Sequence, residues 1–227
     1  MLCVSTPPPP GTRTAVALIG DVVDSRQHPD RAAAQAALVR ALSEVEALVP
    51  SVQPLDVTLG DEFQGAYATV ADAALAALLV RLSLLPDVDT RYGLGHGTFT
   101  VFDADRDLVS QDGPAWWAAR SAVDTARQRA GQPRSRAVRT WYAEHEPGGG
   151  GAAPGAATVN AFLTCRDEIL ARMSPRELRL LRGLLLGEQQ AAMAAQEGVV
   201  QSAVSQSLTR SGAYAVLAAH DLLRDPA

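Results

Sequence analysis

Residues 144–158, EHEPGGGGAAPGAAT, constrain the fold more than any other stretch. Glycine, alanine and proline fill most of it, so few side chains are there to pack and backbone freedom is high. The segment reads as a flexible linker, and it separates two patterns. Before it, short apolar runs alternate with helical spacing; after it, every segment is helical. The expected division is a disordered tail over 1–12 with four prolines at 7–10, an α/β domain over 13–143, the linker, and an all-α domain over 159–227.

In the first domain, RTAVALIGD (13–21) is an apolar run ending at Gly-Asp, as a buried strand would. Residues 29–49 place Leu38, Leu42, Val45 and Val49 at helical spacing. LDVTL and FQGAY flank a Gly60-Asp61-Glu62 turn as a candidate hairpin. A helix is expected over 70–85, and strand, turn and further strand over 88–102 (VDTRYGLGHGTFTVF), with His96 in a glycine-rich turn. Another helix follows over 113–130, with Pro114 suited to its first turn, and a closing strand over 136–143. The order is β-α-β-β-α-β followed by further β-α-β elements. It predicts an α/β (α+β), ferredoxin-like sheet with helices on one face.

After the linker, Ser174, Pro175 and Glu177 form a capping box with proline at the first helical position. A short helix, a turn around Gly198 and the helix QSAVSQSLTR (201–210) then give a helix-turn-helix layout. Gln201, Ser202, Ser205, Gln206 and Thr209 would face base edges, and Arg210 a phosphate or a guanine. Residues 159–227 carry seven arginines and seven acids. Phosphate neutralisation supplies most DNA affinity, so binding to DNA would need a homodimer. A bundle used only for protein contact is the alternative.

Composition excludes several classes. The formal net charge is −5, and all 20 basic residues are arginine. With no lysine, neither a Walker phosphate loop nor Schiff-base chemistry is available. Cys3 and Cys165 support neither a disulfide framework nor a zinc spacing. The first residues lack the charged start and apolar core of a signal peptide, and no apolar run reaches about 18 residues. A cytoplasmic protein without a membrane partner is expected.

Asp21 ends the first strand and Asp61 sits in the hairpin turn, side by side in a β-α-β-β fold. Two carboxylates there suit magnesium or manganese, which prefer oxygen ligands and bridge to phosphates. They read equally as turn residues after glycine. Asp24, Arg26, Gly60, Glu62 and Arg91 are candidate contacts to a nucleotide or other phosphorylated small molecule, the arginines because a guanidinium forks onto phosphate oxygens. Trp116 and Trp117 are neighbours on a helix, roughly 100° apart, so one faces the core and the other is left for stacking or a dimer contact.

LIGDVVDSR, TLGDEFQG, TRYGLGHG and GPAWWAARSAV, in this order, resemble four segments of class III nucleotidyl cyclases. The resemblance implies a cyclase-like domain in which Asp21 and Asp61 are the metal aspartates. It makes Arg120 the catalytic arginine that stabilises the transition state. The chain is closer to the SatD family, which it resembles in GDVVDSR, GDEFQG, DGPA and a C-terminal helix-turn-helix. Three positions depart from the cyclase pattern. Trp116 stands where cyclases place an asparagine, Val57 where they commonly place a base-reading lysine, and Leu59 where diguanylate cyclases place a first glycine. Three functions follow as expectations. The first is a regulator that couples nucleotide and metal binding to DNA binding and transcription. The second is an active metal-dependent cyclase with Arg120 supplied by the partner subunit, and the third is a non-catalytic scaffold or dimerisation protein.

Overall fold

The computed structural model describes residues 12–101, 111–145 and 155–225. The proline-bearing tail and residues 146–154 of the expected linker lie outside them. At the linker's two ends, Glu144 belongs to a strand and Ala156 opens a helix. The chain runs β1 (Thr12–Val22), α1 (Arg31–Leu48), β2 (Gln53–Leu59), β3 (Glu62–Tyr67), α2 (Val70–Leu84), β4 (Thr90–Val101), β5 (Gln111–Asp112), α3 (Pro114–Ala130) and β6 (Thr140–Glu144). Five helices follow: α4 (Ala156–Ala171), α5 (Pro175–Leu185), α6 (Gln190–Glu197), α7 (Gln201–Ser211) and α8 (Ala213–Arg224). Among the described residues no helix is long and apolar enough to cross a membrane.

The strands form one mixed sheet in the order β2-β3-β1-β4, with β5 and the parallel β6 both against β4. The first four strands pair antiparallel throughout, the ferredoxin-like arrangement expected from the element order. Pro54 lies in the edge strand β2, where a missing N–H costs no ladder bond.

Helices cover both faces, not one. Val16 and Leu18 of β1 pack with the buried side chains of α1 and α2, while Ala15, Ala17 and Ile19 pack with Ala115, Trp116, Ala119 and Val123 of α3. An unbroken apolar run such as AVALI has no solvent face to offer, which is the pattern of a strand buried on both sides.

The glycines of TRYGLGHG make no turn. They lie within β4, a continuous strand of 12 residues, and His96 is a strand residue. Gly93, Gly95 and Gly97 alternate along the strand and so share one face, beneath α3. A Cβ on Gly95 would stand 2.1 Å from the Ala119 backbone N and 2.2 Å from the Ala115 O. One on Gly93 would stand 2.1 Å from the Ala119 O. Glycine is needed here because the helix backbone lies directly on the strand.

The outer edge of β6 is closed by α4. The Tyr142 N–H donates to Asn160 Oδ1 and the Tyr142 carbonyl accepts from Asn160 Nδ2, both at 2.8 Å. Two turns along α4, Asp167 Oδ2 accepts the N–H groups of Arg139 and Thr140 at 2.7 and 2.8 Å. Arg166 reaches Asp167 Oδ1, Thr140 Oγ1 and the Ala74 carbonyl of α2. Nearby, Asp89 bridges Arg81 of α2 at 3.0 Å and Arg139 at 2.6 Å. Burial by itself would raise the Asp89 pKa, but these two guanidiniums hold it below the ordinary range.

The remaining helices pack around Leu178, Leu181, Met193, Val204, Leu208 and Val216, together with Leu78 and Leu82 of α2. The expected capping box closes the start of α5 through Ser174 and Glu177. Gly198 takes a left-handed conformation, φ 65°, between α6 and α7.

Gly95→Ala will force β4 and α3 apart and lower stability by about 1–3 kcal/mol in urea unfolding, the usual cost of overpacking. Asp89→Asn tests the bridge to Arg81 and Arg139. A carboxylate with a depressed folded pKa contributes stability that is complete above its unfolded value, 3.8, and is lost as pH falls through the folded value. The stability gap between wild type and Asp89→Asn will therefore be widest near neutral pH. It will narrow below pH 3.8, followed by denaturant unfolding across an acid series.

Candidate functional site

The site forms where β1 ends beside the β2–β3 turn. Sheet register places Asp21 opposite Glu62 of β3 on one side and opposite Arg91 of β4 on the other. The turn itself is Gly60-Asp61. Gly60 has φ 65°, which favours glycine, and Glu62 already belongs to β3 rather than to the turn. After β1 the chain turns through Asp24, a non-glycine residue at φ 52°, into a short helical turn over Ser25–Gln27 that carries Arg26.

Asp21 is buried, and its oxygens meet two arginines. Arg91 Nη1 donates to Oδ1 at 3.2 Å and Arg127 Nη2 donates to Oδ2 at 2.5 Å. Burial pushes the Asp21 carboxyl above its ordinary pKa. Arg91 and Arg127 pull it back, and the nearby charge of Asp61 pushes it up again. Burial likewise lowers the Arg91 guanidinium, with Asp21 supporting its charge and Arg127 opposing it. Among the described residues, the buried Arg91 Nε has no hydrogen-bond partner.

Asp21, Asp24, Arg26, Asp61, Arg91 and Arg127 line one cleft of about 350 Å³. The structure thus gathers five sequence-derived candidates. Gly60 lines a neighbouring cavity of about 370 Å³ that shares Asp61 with the cleft and also carries Arg31. Glu62 and Arg120 stand apart as a two-pronged pair, both bonds 2.6 Å. Those bonds hold the Arg120 pKa above its ordinary value. With the Arg120 side chain 48% exposed and Glu62 30%, solvent leaves this pair worth about 0–1 kcal/mol.

Asp21 and Asp61 are the carboxylates proposed for magnesium or manganese. The donor set does not fit such an ion. Three arginines line the cleft beside three aspartates, and both oxygens of Asp21 are held by guanidinium groups. Cation binding there would first break the ion pairs of a buried carboxylate. Among the described residues, no group of three or more His, Cys, Asp or Glu is placed to share a metal.

Arg127 is absent from the sequence-derived set. It lies seven residues after Arg120, two helical turns along the same face of α3, and that spacing was the available signal. The tryptophan pair resolves as expected. Trp116 is core, edge-to-face on Phe99, whereas Trp117 is exposed and donates its indole N–H to Asp112.

Among the C-terminal helices, Val204 and Leu208 bury one face of α7. Gln201, Ser202, Gln206, Thr209 and Arg210 are exposed, and Ser205 is half-buried with its carbonyl accepting from the Thr209 hydroxyl.

A family model described as the SatD family matches residues 15–222. No curated protein matches the chain. Among solved structures, a bacterial light-regulated adenylyl cyclase is similar at 15% identity and TM-score 0.41, covering 52% of this chain and 73% of its own. The diguanylate cyclase SiaD from Pseudomonas aeruginosa, solved with its activator SiaC, is 15% identical at TM-score 0.41, covering 57% of this chain and 50% of its own. A regulator of polyketide synthase expression from Bifidobacterium adolescentis covers 94% of this chain and 81% of its own, at 15% identity and TM-score 0.28. Scores and identities this low bear on neither activity nor partners.

Removing the Arg127 guanidinium takes away one of the two charges that offset burial of Asp21. In Arg127→Ala the Asp21 carboxyl will titrate at a higher pH than in wild type, read by NMR of its side-chain carbon.

Proposed function

This chain belongs to the SatD family, and we propose that it is a ligand-responsive DNA-binding regulator. A phosphorylated small molecule, of nucleotide class, binds the cleft at the end of β1, and α7 reads DNA from a homodimer. The observation that carries the ligand reading is the gathering of Arg26, Arg91 and Arg127 around one cleft at the end of β1. A guanidinium forks onto phosphate oxygens, and three of them lining one cleft suit an anionic ligand. The incoming anion competes with Asp21 for Arg127, whose side chain is 58% exposed.

The DNA reading is supported by the exposed polar face of α7 and by the left-handed Gly198 that sets the angle between α6 and α7. Contact links the two surfaces. Arg91 lies two residues beyond Asp89, Asp89 holds Arg81 of α2, and α5 and α8 pack on α2. A ligand biases the helices only through different affinities for their two arrangements. This reading stands ahead of the cyclase because Asp21 is committed to arginines and Arg120 is held by Glu62 of its own chain.

Fluorescence anisotropy with a pool of random-sequence duplexes tests it. At low salt the full-length protein will bind DNA, with affinity falling steeply as salt rises. Arg210→Ala will weaken binding by about tenfold, the scale of one charged contact, and ATP or GTP will shift the curve. A full-length protein with no affinity for any duplex at low salt would refute the DNA half. A nucleotide response unchanged in Arg127→Ala would refute the cleft.

A further inference from the structure

A third pocket lies between α4 and the loop over residues 133–139, apart from both cavities described above. It measures about 850 Å³, more than twice the cleft at Asp21. Five arginines, Arg81, Arg134, Arg136, Arg139 and Arg172, and one acid, Glu168, line it. In a chain of net charge −5 this is a local reversal of sign.

The neighbouring acids do not cancel it. Glu168 is taken by Arg172 at 2.6 Å, and Arg81 and Arg139 share Asp89. Arg134 and Arg136 are exposed and, among the described residues, pair with no acid. Arg81 is 4% exposed, with its Nε on Asp89 and its Nη1 ion-paired with Asp167 Oδ1 at 3.6 Å, so the open charge of the pocket is that of Arg134 and Arg136. Two guanidinium groups without an acid partner, Arg134 and Arg136, lining one cavity suit an anionic ligand.

We infer that this pocket binds a small organic phosphate of nucleotide size. Its volume falls in the range of about 300–1,000 Å³ usual for such sites. Ala137, Val138 and Ile169 give it an apolar wall, which favours an organic body over bare phosphate. The pocket shares none of the residues of the Asp21 cleft, so occupancy of one is measurable without the other.

Cys165 lines the pocket, is exposed, and provides the readout. In full-length protein carrying Cys3→Ser, the rate of Cys165 alkylation by a maleimide is followed at low ionic strength with increasing ATP or GTP. Saturable slowing is expected. Arg134→Ala combined with Arg136→Ala will raise the half-saturating concentration at least about tenfold, the scale of a lost charged hydrogen bond. Both side chains are exposed and outside the buried network, so the fold is kept. Pyrophosphate will protect more weakly than ATP. Arg127→Ala will leave protection unchanged, which separates this pocket from the Asp21 cleft. No saturable protection by either nucleotide, or equal protection in the double arginine variant, overturns the inference. So does protection by a DNA duplex and by neither nucleotide. Nucleotide binding that is lost in Arg127→Ala without ever protecting Cys165 supports the cleft and overturns this pocket.

Discussion

One buried carboxylate, that of Asp167, fixes how the C-terminal helices sit on the sheet. It is fully buried, and burying a charge is costly unless every lone pair finds a partner. Both oxygens are occupied. Oδ2 takes two successive backbone N–H groups at the start of β6, and Oδ1 takes Arg166 and faces Arg81. Arg166 in turn needs acceptors, and finds them at Thr140 and at the Ala74 carbonyl of α2. A strand, a helix above the sheet and the first helix of the bundle are thereby tied to one point. Partial satisfaction of such a network would be worse than an apolar contact, so the three elements are held in one arrangement.

The same logic at smaller scale builds the Asp21 site. Register sets the acids Asp21 and Glu62 directly across from each other on β1 and β3, an unfavourable pairing left alone. α3 resolves it. Arg120 and Arg127, on one helical face, each take one of the two acids, and Arg91 adds a second charge to Asp21 from the adjoining strand. The close seat of α3 on the β4 glycines brings those arginines within reach. Packing and electrostatics are here one design, since a bulkier strand face would lift both guanidiniums away from their acids.

Much of this was legible from local pattern. The helix over α2, the hairpin around Gly60-Asp61, the capping box at Ser174 and the turn at Gly198 follow from periodicity, turn chemistry and capping rules that act over a few residues. The glycines of β4 were misread because glycine serves two purposes, left-handed turns and close backbone approach. Only the position of α3 distinguishes them. Helices on both faces were signalled by the unbroken run AVALI, whereas the element order alone points to one covered face. The meeting of Asp21 and Asp61 was legible, because a strand end and a hairpin tip are neighbours in this topology, whereas Arg91 was legible only as a phosphate-contact candidate. The ion pairing of Asp21 was not. Which arginine out of 20 approaches a given acid is a long-range outcome, and Arg127 lies 106 positions from its partner.

The closure of β6 by α4 also governs what else the sheet is able to join. A bare strand edge is a template for any extended chain, whether a peptide ligand or a misfolded neighbour. Asn160 and Asp167 occupy the backbone groups of Arg139, Thr140 and Tyr142 that such a strand would use. They do so from a helix, which offers no edge of its own. At the opposite side of the sheet, Pro54 of the edge strand β2 has no N–H to offer an added strand. Growth of this sheet by strand addition is therefore discouraged at both margins, by side chains on one and by a missing donor on the other.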